Sequence, residues 1–346
     1  MKLLVQIPCL NEEKTLAEVI HDIPRTIPGV DEVKVLVIDD GSTDRTVATA
    51  YEAGADYVVS RPRTEGLAKA FSLGIATCLD LGADVIVNTD GDHQYRGEDI
   101  PRLIAPILEG RADIAIGNRQ VARIPHFSPL KRRLQVIGSR VVSGLAHVSL
   151  PDVTSGFRAY SRDGALRLNV FSRFSYTLET IFLAGSQRIP IAHVPIVVNK
   201  PLRPSRLFSS IRGYLKKATG TILRIYTLYE PLKTFFYVGS VLALIGVLGV
   251  GRFLYFYAIG QGGGHVQSLV LSGVFLTIAF QVWMLGILAD LISINRRLSE
   301  EILYRVRRGA GVPVTNGSGR PAPRPRAVAG KPASDALAQA ARSGRP

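Results

Sequence analysis

The chain has 346 residues, with 42 Lys+Arg against 28 Asp+Glu and a formal net charge of +14. The excess lies at one end: residues 1–199 hold 22 cations and 23 anions, while residues 200–346 hold 20 and 5. This excludes a uniformly basic nucleic-acid binder and indicates a near-neutral domain followed by a basic, surface-seeking region; two cysteines, Cys9 and Cys78, exclude a disulfide framework or a four-cysteine zinc site and suit a reducing compartment.

Apolar, β-rich runs occur at residues 3–7, 33–38, 57–59, 85–87 and 114–116, with helical stretches near 12–22, 44–54, 66–80 and 98–109. The run at 3–7 leads into Asn11-Glu12-Glu13 and reads as a first strand, not as the apolar core of a secretory signal. Alternation of this kind predicts a mostly parallel α/β sheet with helices on both faces. Ligands of such sheets sit at the carboxyl ends of the strands. The polar clusters fall there: Pro8-Cys9-Leu10-Asn11-Glu12 after the first strand, Asp39-Asp40-Gly41-Ser42 after the second, and Asp90-Gly91-Asp92-His93-Gln94 after the fourth.

The last cluster carries the sharpest chemistry. Two carboxylates two residues apart at a strand end can reach one divalent ion, and Gln94 can add an amide oxygen. Hard oxygen ligands with room for water and phosphate suit Mg²⁺ or Mn²⁺. Asp39-Asp40 can close a turn, or can hydrogen-bond a base or ribose. Asn11 is expected to cap the first helix and Glu12 to lie in its first turn; His93 is either a ligand or a structural neighbour. No G-x-G-x-x-G or G-x-x-x-x-G-K-[ST] occurs, which leaves ordinary dinucleotide and P-loop sites unsupported.

Arginines gather past the expected sheet: Arg119, Arg132, Arg133, Arg158, Arg203 and Arg206. Arginine suits bidentate phosphate recognition. Two of these lie in short polar motifs, Gly117-Asn118-Arg119 and Thr154-Ser155-Gly156-Phe157-Arg158.

Residues 206–229 predict an amphipathic helix, with Ile211, Leu215, Ile222, Ile225 and Tyr229 on one face and Arg212, Lys216 and Arg224 on the other. Such a helix can lie in the headgroup plane or pack on its own domain. Two membrane spans follow, at 234–259 and 266–289. The second is free of charge throughout, and the first is broken only by Arg252. Cations flank the outer ends (Lys216, Lys217, Arg224 and Lys233 before, Arg296, Arg297, Arg305, Arg307 and Arg308 after), so the positive-inside rule puts both termini in the cytoplasm. The expected organisation is a cytosolic catalytic domain over 1–200, juxtamembrane helices over 201–233, the two spans, a cytosolic basic segment over 290–308 and a disordered tail over 309–346.

Ile7-Pro8-x-x-Asn11-Glu12, Asp39-Asp40-Gly41-Ser42-Thr43-Asp44, Asp90-Gly91-Asp92-x-Gln94, Gly117-Asn118-Arg119 and Ser155-Gly156-Phe157-Arg158, taken in order, resemble the family 2 glycosyltransferases of GT-A fold. With the cationic helix and two spans, the chain looks like their polyprenyl-phosphate branch, which includes dolichyl-phosphate mannose synthases. The resemblance implies a Rossmann-like mixed sheet and a multi-pass membrane enzyme. It implies metal-dependent, inverting transfer of a hexose from a nucleotide sugar to a polyprenyl phosphate. Pro8, Asn11, Glu12, Asp39, Asp40 and Gly41 would hold the donor, and Asp90, Asp92 and Gln94 the metal and diphosphate. Asp90, Asp92, Arg119 and Arg158 would form the catalytic set. Arg132, Arg133, Ser205 and Arg206 would meet the lipid phosphate. UDP-glucose, UDP-N-acetylglucosamine and GDP-mannose stay open, with a lean to UDP sugars, and a homo-oligomer is compatible. Leu10 stands where relatives often carry an aromatic residue, Gly91 replaces a common Ala, and Arg203-Pro204-Ser205-Arg206 replaces a common Gly-Glu-Ser-Lys.

Rival readings are weaker. A processive polysaccharide synthase usually carries Gln-x-x-Arg-Trp, and the only tryptophan here is Trp283, inside a span. A nucleotidyltransferase wants a Gly-rich, basic first loop. Transfer to another lipid differs only in the acceptor pocket. A non-catalytic nucleotide-sugar-binding membrane protein would be favoured by a degraded Asp-x-Asp, and here it is intact.

Overall fold

The computed structural model describes residues 1–121, 129–170, 176–199 and 211–310. Its elements are β1 (Lys2–Cys9), α1 (Leu16–His21), β2 (Glu32–Asp39), α2 (Thr46–Glu52), β3 (Tyr57–Ser60), α3 (Leu67–Asp80), β4 (Val85–Asn88), α4 (Ile100–Leu108), β5 (Ile114–Asn118), α5 (Pro129–Leu145), β6 (Arg158–Ser161), α6 (Arg162–Arg167), α7 (Tyr176–Ser186), β7 (Ile191–Pro195), α8 (Ile211–Tyr229), α9 (Pro231–Ala258) and α10 (Val266–Ala310). The strands form one sheet in the order β3-β2-β1-β4-β6-β5-β7. β6 runs antiparallel to both β4 and β5 and the other pairs are parallel, so the sheet is mixed.

The two-residue period of the strands divides the core into two layers. Leu3, Val5, Ile7, Val35, Val37, Val85 and Val87 face α1 and α4 through Leu16, Ile20, Leu103 and Ile104. Leu4, Leu36, Ile38 and Ile86 face α3 and α7 through Phe71, Ile75, Ile181 and Phe182. All five strands expected from the apolar runs are present. The helix expected over 12–22 is shorter because residues 12–15 form a turn, in which the Glu12 carbonyl accepts the N–H groups of Thr15 and Leu16 at 3.1 and 3.0 Å.

One expectation is corrected here. Arg158 does not lie past the sheet: it opens β6, the strand between β4 and β5. β6 is four residues, Arg-Ala-Tyr-Ser, with no apolar alternation to reveal it. α7 is buried on nearly every side, so its sequence shows no amphipathic period.

α9 and α10 form an antiparallel hairpin and are the two helices long and apolar enough to cross a membrane among the described residues. Only 11% and 17% of their most apolar windows are buried, which argues against core helices of a soluble domain. The hairpin closes on small residues. Gly239 faces the Trp283 ring, Gly246 faces Leu276, and Trp283 Nε1 donates to the Phe236 carbonyl at 3.3 Å. The apolar face expected of the juxtamembrane helix packs on the α/β domain at its C-terminal end, where Ile225 and Tyr229 join the core and Tyr229 stacks on Phe182. Leu223 and Leu228 remain exposed on that helix. The part of the expected helix before Ile211 lies outside the described residues.

A Cβ on Gly239 would run into the Trp283 ring. Gly239→Leu is therefore expected to force the hairpin apart and cost about 1–3 kcal/mol, read as a lower unfolding midpoint of the detergent-solubilised protein. Gly251→Leu, which meets nothing within 4 Å, should leave the midpoint unchanged.

Candidate active site

Parallel register sets the level of each loop. Cys9 pairs with Asp39, whereas β4 ends lower, with Asn88 beside Gln6. The acidic loop after β4 therefore starts beneath the two loops that follow β1 and β2, and the three line one edge of the sheet.

The loops after β1 and β2 are laced together. Asn11 adopts φ 54°, its N–H donates to Ser42 Oγ at 2.8 Å, and its Oδ1 accepts the Thr43 N–H at 2.8 Å. Asn11 thus bridges two loops and does not cap α1, contrary to expectation; Thr15 holds that position. The Glu12 N–H donates to Thr46 Oγ1 at 2.8 Å. Pro8 lies in β1 beside Ile38 of β2. Asp39 and Asp40 are both buried. Asp39 accepts the Ser42 N–H at 2.9 Å and the Ser60 hydroxyl at 2.6 Å. Asp40 accepts the Glu65 and Gly66 N–H groups at 3.1 and 2.8 Å and Arg61 Nη1 at 3.1 Å. These bonds tie both acids to the surrounding loops; Asp40 Oδ1 accepts two of them, while both Asp39 oxygens and Asp40 Oδ2 accept one each of those named. Gly41 sits at φ 82° with the Arg63–Thr64 backbone only 3.0 Å from where a Cβ would be, so both conformation and space require glycine.

In the acidic loop, the Gln94 N–H and Nε2 donate to Asp92 Oδ1 and Oδ2 at 3.2 and 3.0 Å. Asp90 stands beside Asp92. Burial first, and then the Asp92 charge, push its carboxyl up to about 7, against the opposing pull of Arg119 and Arg158. Gly91 is confined: a Cβ there would lie 3.2 Å from Cys9 Cβ and 3.3 Å from Glu12 Cγ, so any side chain would need those neighbours to give by a few tenths of an ångström. His93 is the structural neighbour, its Nε2 2.9 Å from Asp22 and its Nδ1 3.3 Å from Glu18, both on the α1 side. Among the described residues no three His, Cys, Asp or Glu side chains converge on one point.

Beneath Asp90 lies a neutral hydrogen-bonded floor that the motifs did not reveal. Gln6 Nε2 donates to Asn88 Oδ1 at 2.8 Å, and Asn88 Nδ2 donates to the Gly156 carbonyl at 2.8 Å and to Tyr176 Oη at 3.0 Å. The Gly156 N–H donates to Tyr95 Oη at 3.0 Å, and Tyr95 stacks on Phe157. A Cβ on Gly156 would sit 2.6 Å from Asp90 Oδ2, so the backbone of the Ser155-Gly156 turn is itself the wall against that carboxylate. The available signal was a lone amide in each of two buried apolar strands, Gln6 in β1 and Asn88 in β4.

The two motif arginines differ in place. Arg119 forms a two-pronged pair with buried Asp152, Nε to Oδ2 at 2.7 Å and Nη2 to Oδ1 at 3.0 Å, and Nη2 also donates to Thr154 Oγ1 at 2.6 Å. Arg158, expected in the catalytic set, is wholly buried, and its guanidinium donates to the Ser155 and Val153 carbonyls at 2.8 and 2.9 Å and to Thr180 Oγ1 at 2.6 Å. It braces the 153–157 turn and acts on Asp90 through charge alone, so the contact with substrate expected of it is corrected to a positioning one. Arg132 is half-buried and Arg133 exposed in the first turns of α5. Ser205 and Arg206 lie outside the described residues. Asn199 clamps the acidic loop from the far side: its N–H donates to the Gln94 carbonyl at 2.9 Å, its Nδ2 to the His93 carbonyl at 3.1 Å, and its Oδ1 accepts Arg96 Nε at 3.1 Å.

Comparison with known proteins adds the following. The family model described as "Glycosyl transferase family 2" matches residues 4–167. The chain is 29% identical over 224 residues to the undecaprenyl-phosphate mannosyltransferase of Micrococcus luteus, covering 62% of this chain and 90% of that protein. It is 30% identical over 186 residues to the dolichyl-phosphate hexose transferase of Haloferax volcanii, covering 54% and 78%. Among solved structures, a mycobacterial protein superposes with a TM-score of 0.52 at 22% identity, covering 66% of this chain and 74% of that one, a likeness of fold.

The Asp152 carboxyl is held below its usual range: burial alone would raise it, and the Arg119 charge and hydrogen bonds outweigh that. A depressed folded value means stabilisation that is present above the unfolded carboxyl near ~3.9 and lost as pH falls through the folded value. Asp152→Asn should therefore cost about 3 kcal/mol or more at neutral pH, because Arg119 is left buried and unpaired. Denaturant titrations from pH 7 down to 2 should show that the variant's deficit shrinks in acid.

Proposed function

The chain belongs to glycosyl transferase family 2, and from that premise we propose that it moves a hexose from a nucleotide sugar to a polyprenyl phosphate at the membrane surface. The observation that carries the proposal is the Asp90–Asp92 pair, with Asp90 held against Gly156, at the strand ends of a glycosyltransferase fold, in a chain that also has two candidate spans. The matched relatives are named as polyprenyl-phosphate transferases, and one as a mannosyltransferase, which favours mannose over the lean toward UDP sugars.

A divalent ion fits the donor set. Two neighbouring carboxylates, one driven up to about 7 by burial and by the charge of the other, gain from a cation between them, and an all-oxygen set suits Mg²⁺ or Mn²⁺. Asp90 and Asp92 would hold it, with the Gln94 amide oxygen as a further donor. Bound there, the ion supplies charge neutralisation for a departing nucleoside diphosphate.

The chain's own residues do the rest. The laced loops of Asn11, Glu12, Asp39, Asp40 and Gly41 form the cleft for the nucleoside. Arg119, fixed by Asp152, puts a permanent positive charge near the acidic loop, where it offsets the repulsion between two phosphate groups. Arg132, Arg133, Ser205 and Arg206 are proposed for the acceptor phosphate. A phosphate monoester is largely ionised near neutral pH, its second pKa being about 6, so the reaction needs no strong general base. An acceptor phosphate oxygen attacks the anomeric carbon, a new C–O bond forms, and the bond to the diphosphate breaks with its electron pair leaving on the nucleoside diphosphate. Attack opposite the leaving group inverts the anomeric centre. With cations outside both ends of the hairpin, the catalytic domain and both termini lie on the cytoplasmic side.

Purified protein incubated with a short polyprenyl phosphate, Mn²⁺ or Mg²⁺, and labelled GDP-mannose, UDP-glucose or UDP-N-acetylglucosamine in separate reactions should put label into organic solvent with one donor. Asp92→Asn should reduce the rate by at least about 100-fold, the scale of losing one electrostatic stabiliser. Label that stays in water with every donor, or a product anomer matching that of the donor, would contradict the reading.

A further inference from the structure

α10 continues well past its apolar stretch. Its charge-free stretch ends at residue 289, yet the helix runs to Ala310 and its last five turns lie along the catalytic domain. Arg296 Nε donates to Glu300 Oε1 at 2.8 Å and Nη2 donates to Tyr229 Oη at 3.0 Å, with the guanidinium 4.6 Å from the Tyr229 ring centre. Two turns on, Tyr304 donates its hydroxyl to Asp163 Oδ1 at 2.5 Å, and the Arg167 guanidinium stacks 4.2 Å over the Tyr304 ring. Arg167 Nε in turn donates to Asp163 Oδ2 at 3.0 Å. Arg307 Nη1 donates to the Leu168 carbonyl at 2.9 Å, closing the C-terminal end of α6. Glu300 and Tyr304 are buried by this contact.

What α10 grips is joined to the active site without an intervening loop. α6 follows β6 directly, and Ser161 at the junction accepts the Gly164 N–H at 2.9 Å while donating to Asp113 at 2.6 Å. β6 opens at Arg158, whose guanidinium pins the 153–157 turn, and Gly156 in that turn is the wall against Asp90. Span, α10 extension, α6, β6 and acidic loop are thus successive rigid contacts. Fifteen residues of continuous helix separate Ala289 from Tyr304, or about 22 Å at 1.5 Å per residue.

We propose that Tyr304, Arg307 and Asp163 are positioning residues that fix the height and tilt of the acidic site over the bilayer, so that it meets a phosphate presented at one level by an embedded lipid. The inference rests on the lipid-phosphate reading above. A flexible tether would only raise the local concentration of the acceptor; a fixed mount also removes the orientational search, because small misplacements of reacting groups cost large factors in rate. The amphipathic α8 and the hairpin supply the membrane contact, and the docked end of α10 carries that reference level to the sheet.

The test uses the full chain in lipid nanodiscs and compares wild type with Tyr304→Ala/Arg307→Gln and with the milder Asp163→Asn. Transfer is measured to a long polyprenyl phosphate embedded in the bilayer and to a short, water-soluble isoprenyl phosphate. Both variants are expected to lose roughly tenfold in kcat/KM for the embedded acceptor, with the soluble acceptor and the donor KM unchanged within about twofold. In parallel, spin labels at Glu52→Cys on α2 and Ile302→Cys on α10, both exposed positions, report the distance between the domain and the helix. Cys9 and Cys78 are buried, with thiols pushed up by that burial, and do not compete for label. The distance distribution should be narrow in wild type and broad in the double variant. A broad wild-type distribution, an equal loss on both acceptors, or no loss on either overturns the proposal. Wild type that transfers to neither acceptor while its distances stay narrow contradicts the lipid-phosphate reading and leaves the rigid mount standing.

Discussion

Two carboxylates that repel each other must be held side by side, and the rest of the domain is arranged to make that tolerable. Asp90 is driven up to about 7 by burial and by Asp92. A soft loop would let the two charges swing apart into water. Here the loop cannot relax that way, because the wall against Asp90 is backbone. Gly156 has no side chain to yield, and its N–H and carbonyl are held by Tyr95 and Asn88. Asn88 is held in turn by Gln6 from the neighbouring strand. A floor of neutral, hydrogen-bonded amide and hydroxyl groups adds no charge of its own. The cations come from behind, Arg158 wholly buried and Arg119 anchored on Asp152, so they moderate the repulsion without filling the place of a bound ion.

That arrangement ties the acidic loop to distant parts of the chain. Asn199 grips it from one side and the 153–157 turn from the other, and the turn leads through β6 and α6 to the docked end of α10. On the proposed reading the docked end of α10 sets where the site stands relative to the lipid, while the contacts around Gly156 preorganise the acidic loop itself. Preorganisation of this kind costs stability elsewhere, here in buried charged pairs such as Arg119–Asp152.

Much of the sheet was legible because β1, β2 and β4 are apolar on both faces and each ends in polar residues at a strand's carboxyl end. β6 was not, since it begins with a buried arginine and runs only four residues. The long apolar runs at the C-terminus marked the hairpin, but composition alone could not show that the basic segment after residue 290 continues as helix and docks. Its docking residues, Arg296, Glu300, Tyr304 and Arg307, recur at helical spacing but read as a solvated charged face until the partners Tyr229, Asp163 and Leu168 are in view. At the site, the motifs located the acidic loop and the two loops after β1 and β2 that are laced together. They misjudged Arg158 because a conspicuous arginine in a polar motif suggests contact with substrate, whereas its three bonds go to its own turn and to α7. Asn11 was misjudged because a cap and a loop-bridging amide look alike in sequence.

The account holds that Asp90 and Asp92 are half of an ion site which a nucleoside diphosphate completes. Mn²⁺ binding followed by electron paramagnetic resonance, with and without nucleoside diphosphate, tests this most directly. The account predicts weak binding of Mn²⁺ alone, at least about tenfold tightening when nucleoside diphosphate supplies the missing oxygens, and loss of that tightening in Asp92→Asn. Mn²⁺ binding that is indifferent to the nucleotide, or that survives Asp92→Asn unchanged, would contradict it.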